Sequence, residues 1–280
     1  MVKRRLTPDA LTLSGYARMV PSLLQSVLGL VSGSLVGFSL GLVGGGGSIL
    51  AVPLLVYVVG VSDPHVAIGT SAVAVAANAA GNLLSHHRAR NVVWRCALLF
   101  AATGVVGAFL GSTLGKMVNG QRLLAAFAVL MMVVAGLMLR KRASAGIKVE
   151  AVSRDMARRL VAIGLGAGAL SGFFGIGGGF LIVPGLMLAT GMPILNAVGS
   201  SLVAVTAFGA TTAANYAVSG SVNWAIAALF ICGGIGGGYA GSRAAHALAN
   251  RKGYLNIVFG VLIFAVAAYM LVRSLGAMGL

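Results

Sequence analysis

Acidic side chains are almost missing from this chain. Its 280 residues hold four, Asp9, Asp63, Glu150 and Asp155, against 20 Lys and Arg. Charge of either sign is scarce: 9% of the chain, where soluble domains carry about 25%. From Leu160 to Ser242, roughly 80 residues, there is no Lys, Arg, Asp, Glu or His; as helix that stretch would run ~120 Å, about four bilayer cores of ~30 Å. Cysteine is limited to Cys96 and Cys232, in unrelated apolar runs, so no disulfide framework is implied and both read as small buried residues. No apolar run carries a carboxylate and no nucleophile–base pair is visible, so an enzyme is not expected and no catalytic residue is assigned. His86-His87 stands without carboxylate or cysteine support, which reads as an interfacial cap rather than a metal site. No metal and no cofactor is implied.

What remains is apolar. Hydrophobic residues make up 59% of the chain and the mean hydropathy is +0.99. The expected fold class is an all-α polytopic membrane protein. The net charge of +16 does not point to nucleic acid. Its bases sit in short clusters between apolar runs: Lys3 to Arg5, Arg88 to Arg95, Arg140 to Lys148, Arg154 to Arg159 and Arg251-Lys252. That is the pattern of cytoplasmic loops, and the partner it suits is a lipid headgroup. The N-terminus has a basic start but no apolar core behind it, so it reads as a tail and not as a cleaved leader.

Glycine is abundant, and its placement is repeated. Gly41-Leu-Val-Gly-Gly-Gly-Gly-Ser-Ile-Leu-Ala-Val-Pro53 reappears as Gly172-Phe-Phe-Gly-Ile-Gly-Gly-Gly-Phe-Leu-Ile-Val-Pro184. In register with these, Gly69-Thr70-Ser71 matches Gly199-Ser200-Ser201, Trp94 matches Trp224, and Gly111-Ser112 matches Gly241-Ser242. A duplicated half with a glycine-broken apolar segment in each copy is a signature of secondary transporters. The glycine runs are not nucleotide loops: no strand precedes them and no Gly-Lys-Ser/Thr closes them.

The chain divides into a tail (1–18), a first repeat (19–139), a basic linker (140–159), a second repeat (160–275) and a short end (276–280). Each repeat opens with a glycine-broken helix pair followed by three transmembrane helices. The opening segment Met19 to Ser62 is uncharged and too long for one straight span, so it must bend at the glycines. Bare backbone is forbidden in lipid, so each bend is buried in protein or lines a cavity. The basic clusters allow parallel or inverted halves. The short internal loops favour inversion. Small residues after Trp94 and Trp224, such as Gly104, Gly107, Gly111 and Gly233 to Gly241, read as close helix packing. The two tryptophans read as interfacial anchors.

The paired glycine segments, each closed by a proline and followed by Gly-Thr/Ser-Ser, resemble the TauE/SafE sulfite and organosulfonate exporter family. The resemblance spans roughly residues 26 to 275. It implies a multi-pass permease of the bacterial inner membrane for sulfur-containing anions. The first copy departs with Gly45 for Ile176 and Ser48 for Gly179, which points to unequal halves of one site.

The residues agree on the sign of the substrate. A broken helix offers backbone N–H groups and a positive dipole end. Two such ends meeting at the midplane would hold an anion. The expected contacts are the backbone of Gly44, Gly46 and Gly47, and of Gly175, Gly177, Gly178 and Gly179. Side-chain donors would come from Ser48, Thr70, Ser71, Asn78 and Asn82, and from Ser200, Ser201, Thr206 and Asn215; Thr211 and Thr212 stand nearby. A lone helical hydroxyl more often bonds its own backbone. The pairs Thr70-Ser71 and Ser200-Ser201 stand out because they recur. The reading is an exporter of a small sulfur oxyanion working by alternating access between the repeats. A permease for another small anion, a channel-like pore and a non-transporting assembly subunit are the alternatives. The expected partners are a small anionic substrate and membrane lipids, with no nucleic acid; an oligomer is compatible with the sequence.

Overall fold

The computed structural model describes residues 21–140, 153–175, 179–247 and 252–278. The expected tail (1–18), most of the linker, and Gly177 and Gly178 lie outside the described residues. Among those described, every element is helical. Helix α1 (Leu23–Val43) leads into a 3₁₀ turn (Gly44–Leu50), a short α2 (Ala51–Pro53) and a π turn (Leu54–Val58). Then come α3 (Pro64–Arg88), α4 (Trp94–Met117) and α5 (Gly120–Arg140). The second half gives α6 (Arg154–Phe174), α7 (Gly179–Thr190), α8 (Ile194–Val218), α9 (Trp224–Ala247) and α10 (Lys252–Met278).

Local chemistry sets these boundaries. Ser22 and Gln25 form a capping box at the start of α1. Asp63 accepts the His65 N–H at 2.8 Å, and Pro64 takes the first turn of α3, where its missing donor costs nothing. Ser153 caps α6. Gly44 (φ +72°) ends α1, and Gly175 (φ +67°) ends α6 in the left-handed region that favours glycine. Beyond the break at Gly44, the glycine run of the first half coils again as 3₁₀ helix. Pro53 has no N–H to give, and the ladder widens behind it into the π turn, with Val59 N–H donating to Leu54 O at 2.9 Å.

Among the described residues, five helices are long and apolar enough to cross a membrane: α1, α3, α4, α8 and α9. Shorter apolar stretches lie in α5 (Gly120–Gly136) and α10 (Ile263–Gly276), and the returning arms Gly46–Val58 and Gly179–Thr190 are shorter still. Leu98, Val106, Phe109, Leu110 and Leu114 all face outward on α4, more than half exposed. Such a surface is stable in lipid and not in water.

The opening helix of each half packs on the fourth helical element of the other. Helix α1 runs parallel to α9, and α6 runs parallel to α4. Both seams are built on glycine. A Cβ at Gly33 or Gly37 would land on the carbonyl of Phe230 or Gly234; one at Gly233, Gly237 or Gly241 would land on Leu30, Ser34 or Phe38. In the other seam Gly107, Gly111 and Gly115 meet the carbonyls of Leu165, Ala169 and Phe173, and Gly168 and Gly172 meet those of Gly104 and Ala108. The expected close packing of these runs is present, with backbones in direct contact. Helices α3 and α8 lie antiparallel in the middle: His65 stacks on Tyr216 at 6.3 Å, and Gly209 faces Ala72 and Ala76. Helices α5 and α10 pair at the side, where Ser274 Oγ donates to Gln121 O at 2.8 Å. Trp94 and Trp224 stand at helix starts, part-exposed, as anchors would.

Candidate functional site

Each glycine bend docks on the Gly-Thr/Ser-Ser start of the other half. Gly44 sits over Val198, one turn into α8, and Gly175 over Ile68, one turn into α3. Ser71 Oγ donates to Ile68 O at 2.8 Å and reaches Gly175 O at 3.2 Å, which ties α3 to the end of α6. Its counterpart Ser201 donates to Val198 O at 2.7 Å. Ser48 is fully buried in the 3₁₀ turn.

Gly44 and Gly175 themselves lie apart, while the 3₁₀ turn Gly44–Leu50 packs on the other half's return arm, α7. Tyr216 lies beside Gly69, next to Ile68, while Val198 is about 18 residues earlier on α8, ~27 Å along the axis. The bends therefore hold opposite ends of the α3–α8 pair.

Thr70 and Ser200 hold loops. Thr70 Oγ1 accepts the N–H of Asn223 at 2.9 Å, and Ser200 Oγ accepts that of Val93 at 2.9 Å. These N–H groups precede α9 and α4 and have no helical acceptor of their own. Gly69 and Gly199 make room for the same loops, since a Cβ there would strike Ser221 O or Asn91 O. The recurrence of Gly-Thr/Ser-Ser thus has a physical cause: it seats one loop and one bend of the opposite half.

Thr206 and Thr211 bond back to Leu202 O and Ala207 O, both four residues earlier. Asn215 belongs to a network at the end of α8. Its Nδ2 donates to Ser112 Oγ at 2.7 Å and Thr113 Oγ1 at 3.0 Å. Lys116 Nζ donates to Asn215 Oδ1 at 2.7 Å, Asn215 O at 3.1 Å and Ser219 Oγ at 2.9 Å, and lies 5.9 Å over the Tyr216 ring. Sequence reasoning missed Lys116 because it falls just past the apolar run of α4. Its spacing four residues after Ser112 was the available signal. It closes the carbonyl end of α8, where a cation is favoured.

Asn78 and Asn82 lie one turn apart on α3, both buried. Their amides press on Gly234 and Gly238 of α9. Asn82 Nδ2 donates to Asn78 O at 2.9 Å, while neither amide atom of Asn78 has a protein partner. Thr212 and Ser171 are also buried with no partner for their hydroxyls. A groove of about 500 Å³ opens between α4 and α6, walled by Leu110, Leu114, Leu165, Leu170 and Phe173. It carries no polar side chain and is no place for an anion. Among the described residues no three His, Cys, Asp or Glu side chains come together. His86 is buried in the last turn of α3, and His87 stands edge-on to Trp94 at 5.5 Å.

Apolar spans, buried uncharged polar side chains and two glycine-bent hairpins define a multi-pass membrane transporter. Residues 29–270 match the model of the sulfite exporter TauE/SafE family, and the chain belongs to that family. It is 56% identical over 245 residues to a probable membrane transporter protein of Xylella fastidiosa strain Temecula1, covering 87% of this chain and 94% of that one. It is 30% identical to the probable membrane transporter protein YunE of Bacillus subtilis, with 81% of this chain and 87% of that one covered. A probable membrane transporter protein of Haemophilus influenzae is 31% identical over 69% of this chain and 74% of its own length. No solved structure matches the chain.

Proposed function

We propose that this transporter is a permease exporting a small sulfur-containing anion, sulfite or an organosulfonate, across the bacterial inner membrane by alternating access between two inverted repeats. The observation that carries the reading is the set of buried, uncharged polar side chains inside the bundle, Asn78 and Asn82 on α3 and Thr212 on α8. Neutral amides and hydroxyls donate to an oxyanion without the deep trap a buried cation would set. The backbone at the bends, Gly44, Gly46 and Gly47 with Gly175 and Gly179, supplies N–H groups near either mouth. Hydroxyls already committed to the chain, those of Thr70, Ser71, Ser200 and Ser201, hold the frame around it.

Inversion is supported by reciprocal contacts. Val93 follows α3 and meets the start of α8 at Ser200; Asn223 follows α8 and meets the start of α3 at Thr70. Each half would then open one mouth. The inside-negative potential would assist export of an anion by about 2.3 kcal/mol per charge per 100 mV.

The test is efflux from proteoliposomes loaded with sulfite, methanesulfonate or a longer alkanesulfonate. Saturable, exchange-stimulated efflux of at least one of these is expected. Voltage-dependent current without saturation would make the chain a pore, and no movement of any would remove the substrate class.

A further inference from the structure

The two halves differ in kind at one step of the repeat. Asn78 on α3 and Phe208 on α8 each stand seven residues after the closing serine of the repeated motif, Ser71 or Ser201. Each faces a glycine on the helix that enters from the other half. The Asn78 amide lies on Gly234 of α9, and the Phe208 ring lies on Gly104 of α4. Phe208 is fully buried and stacks on Phe100 at 6.2 Å, so its seam is packed shut with apolar atoms. Asn78 is 1% exposed, yet neither Nδ2 nor Oδ1 meets a protein partner.

A buried amide bonded at neither end destabilises the fold, and buried polar groups in native interiors are otherwise almost always paired. Phe208 shows that the same position accepts an apolar residue. The α3–α9 seam therefore keeps an amide that packing does not require. The space for it is built in: a Cβ at Gly234 would collide with the Asn78 amide, and one at Gly238 would crowd Asn82.

We propose that Asn78 contacts the transported ligand and sets its specificity, and that the ligand passes along the α3–α9 seam while Phe208 and Phe100 seal the α4–α8 seam. The ligand contact rests on the transport reading above; the asymmetry of the seams does not. An amide presents two N–H donors and one acceptor oxygen. It suits an oxyanion whose oxygen takes the donors and which brings a hydrogen-bond donor of its own, a protonated oxygen, an amino group or a retained water. It adds no charge, so the ligand can leave.

The test has two arms. In a chain carrying Cys96→Ala and Cys232→Ala, the variants Asn78→Cys and Phe208→Cys are reconstituted and exposed to a small water-soluble methanethiosulfonate. Asn78→Cys is expected to react and to be protected by methanesulfonate; Phe208→Cys is expected to stay unmodified. Modification at Phe208→Cys with none at Asn78→Cys would reverse the assignment of the seams. In the second arm Asn78→Leu should unfold at the same temperature as the parent or higher, since it removes an unbonded buried amide, while efflux of methanesulfonate or sulfite falls by about tenfold or more. Parental efflux by Asn78→Leu, or a lowered unfolding temperature that accounts for the loss, would overturn the contact. If the parent itself moves no sulfur oxyanion, the transport reading and the contact fall together, and the labelling arm still decides which seam is hydrated.

Discussion

Gly44 and Gly175 do the same work with different backbones. Gly44 has φ +72° and ψ −145°, a region open to glycine almost alone; Gly175 has φ +67° and ψ +23°, the left-handed helical region. Each also lies hard against a branched side chain, Val198 or Ile68. Gly191 has a similar φ of +70° but open space around it. Gly191→Ala should therefore cost only the backbone strain, about 1 kcal/mol, while Gly175→Ala and Gly44→Ala add a collision and cost about 2–4 kcal/mol. Thermal unfolding in detergent measures the difference. Equal losses at Gly175 and Gly191 would mean that the contact with Ile68 carries no weight. The bends themselves were legible in the sequence as glycine runs. Which glycine turns the chain was not, because four consecutive glycines look alike until the packing picks one.

The helices are held in pairs by glycine seams, and one face of α9 shows how sharp the requirement is. Gly237 meets the Ser34 carbonyl, whereas its neighbour Gly236 has nothing within 4 Å. Gly236→Ala should be neutral or slightly stabilising, since alanine favours helix over glycine by up to about 1 kcal/mol. Gly237→Ala must push α1 from α9 and should lower the unfolding temperature by several degrees, as a loss of about 1–3 kcal/mol does. If both variants unfold alike, the seam is looser than its backbone contacts imply. Glycine spacing in the sequence announced close approach along α4 and α9 but could not name the partner. The partner depends on the crossing of the two halves, which no local pattern encodes. Lys116 was missed for a related reason: its acceptors, Asn215 and Ser219, belong to the other half and come close only through that crossing.

At the scale of the whole molecule, sidedness and energetics are linked. Ala89 follows α3 and Val218 ends α8, both exposed. With inverted halves they face opposite sides of the membrane. Ala89→Cys and Val218→Cys, in a chain without Cys96 and Cys232, should then be labelled from opposite sides by an impermeant thiol reagent, and labelling of both from one side would make the halves parallel. Sidedness matters because the bundle offers little to couple transport to protons. Asp63 caps the start of α3, and Asp155 lies in the exposed first turn of α6, 3.7 Å from Arg158. Asp9 and Glu150 stand outside the described residues, in the tail and the linker of the sequence. Proton coupling normally uses an ionisable group within the spans. Among the described residues the candidates are groups at helix ends, His65, His86 and His87 on α3 and Lys116 in the last turn of α4, with His246 near the end of α9. The expected behaviour is movement down the anion's own electrochemical gradient, with any pH effect arising from those histidines or from the substrate's protonation. Proteoliposomes loaded with a permanently ionised sulfonate, carrying a chain with all four histidines replaced, separate these causes. An imposed pH gradient should drive no accumulation against the sulfonate's concentration gradient, whereas an imposed voltage should; uphill accumulation driven by pH alone would require a proton path through groups other than these.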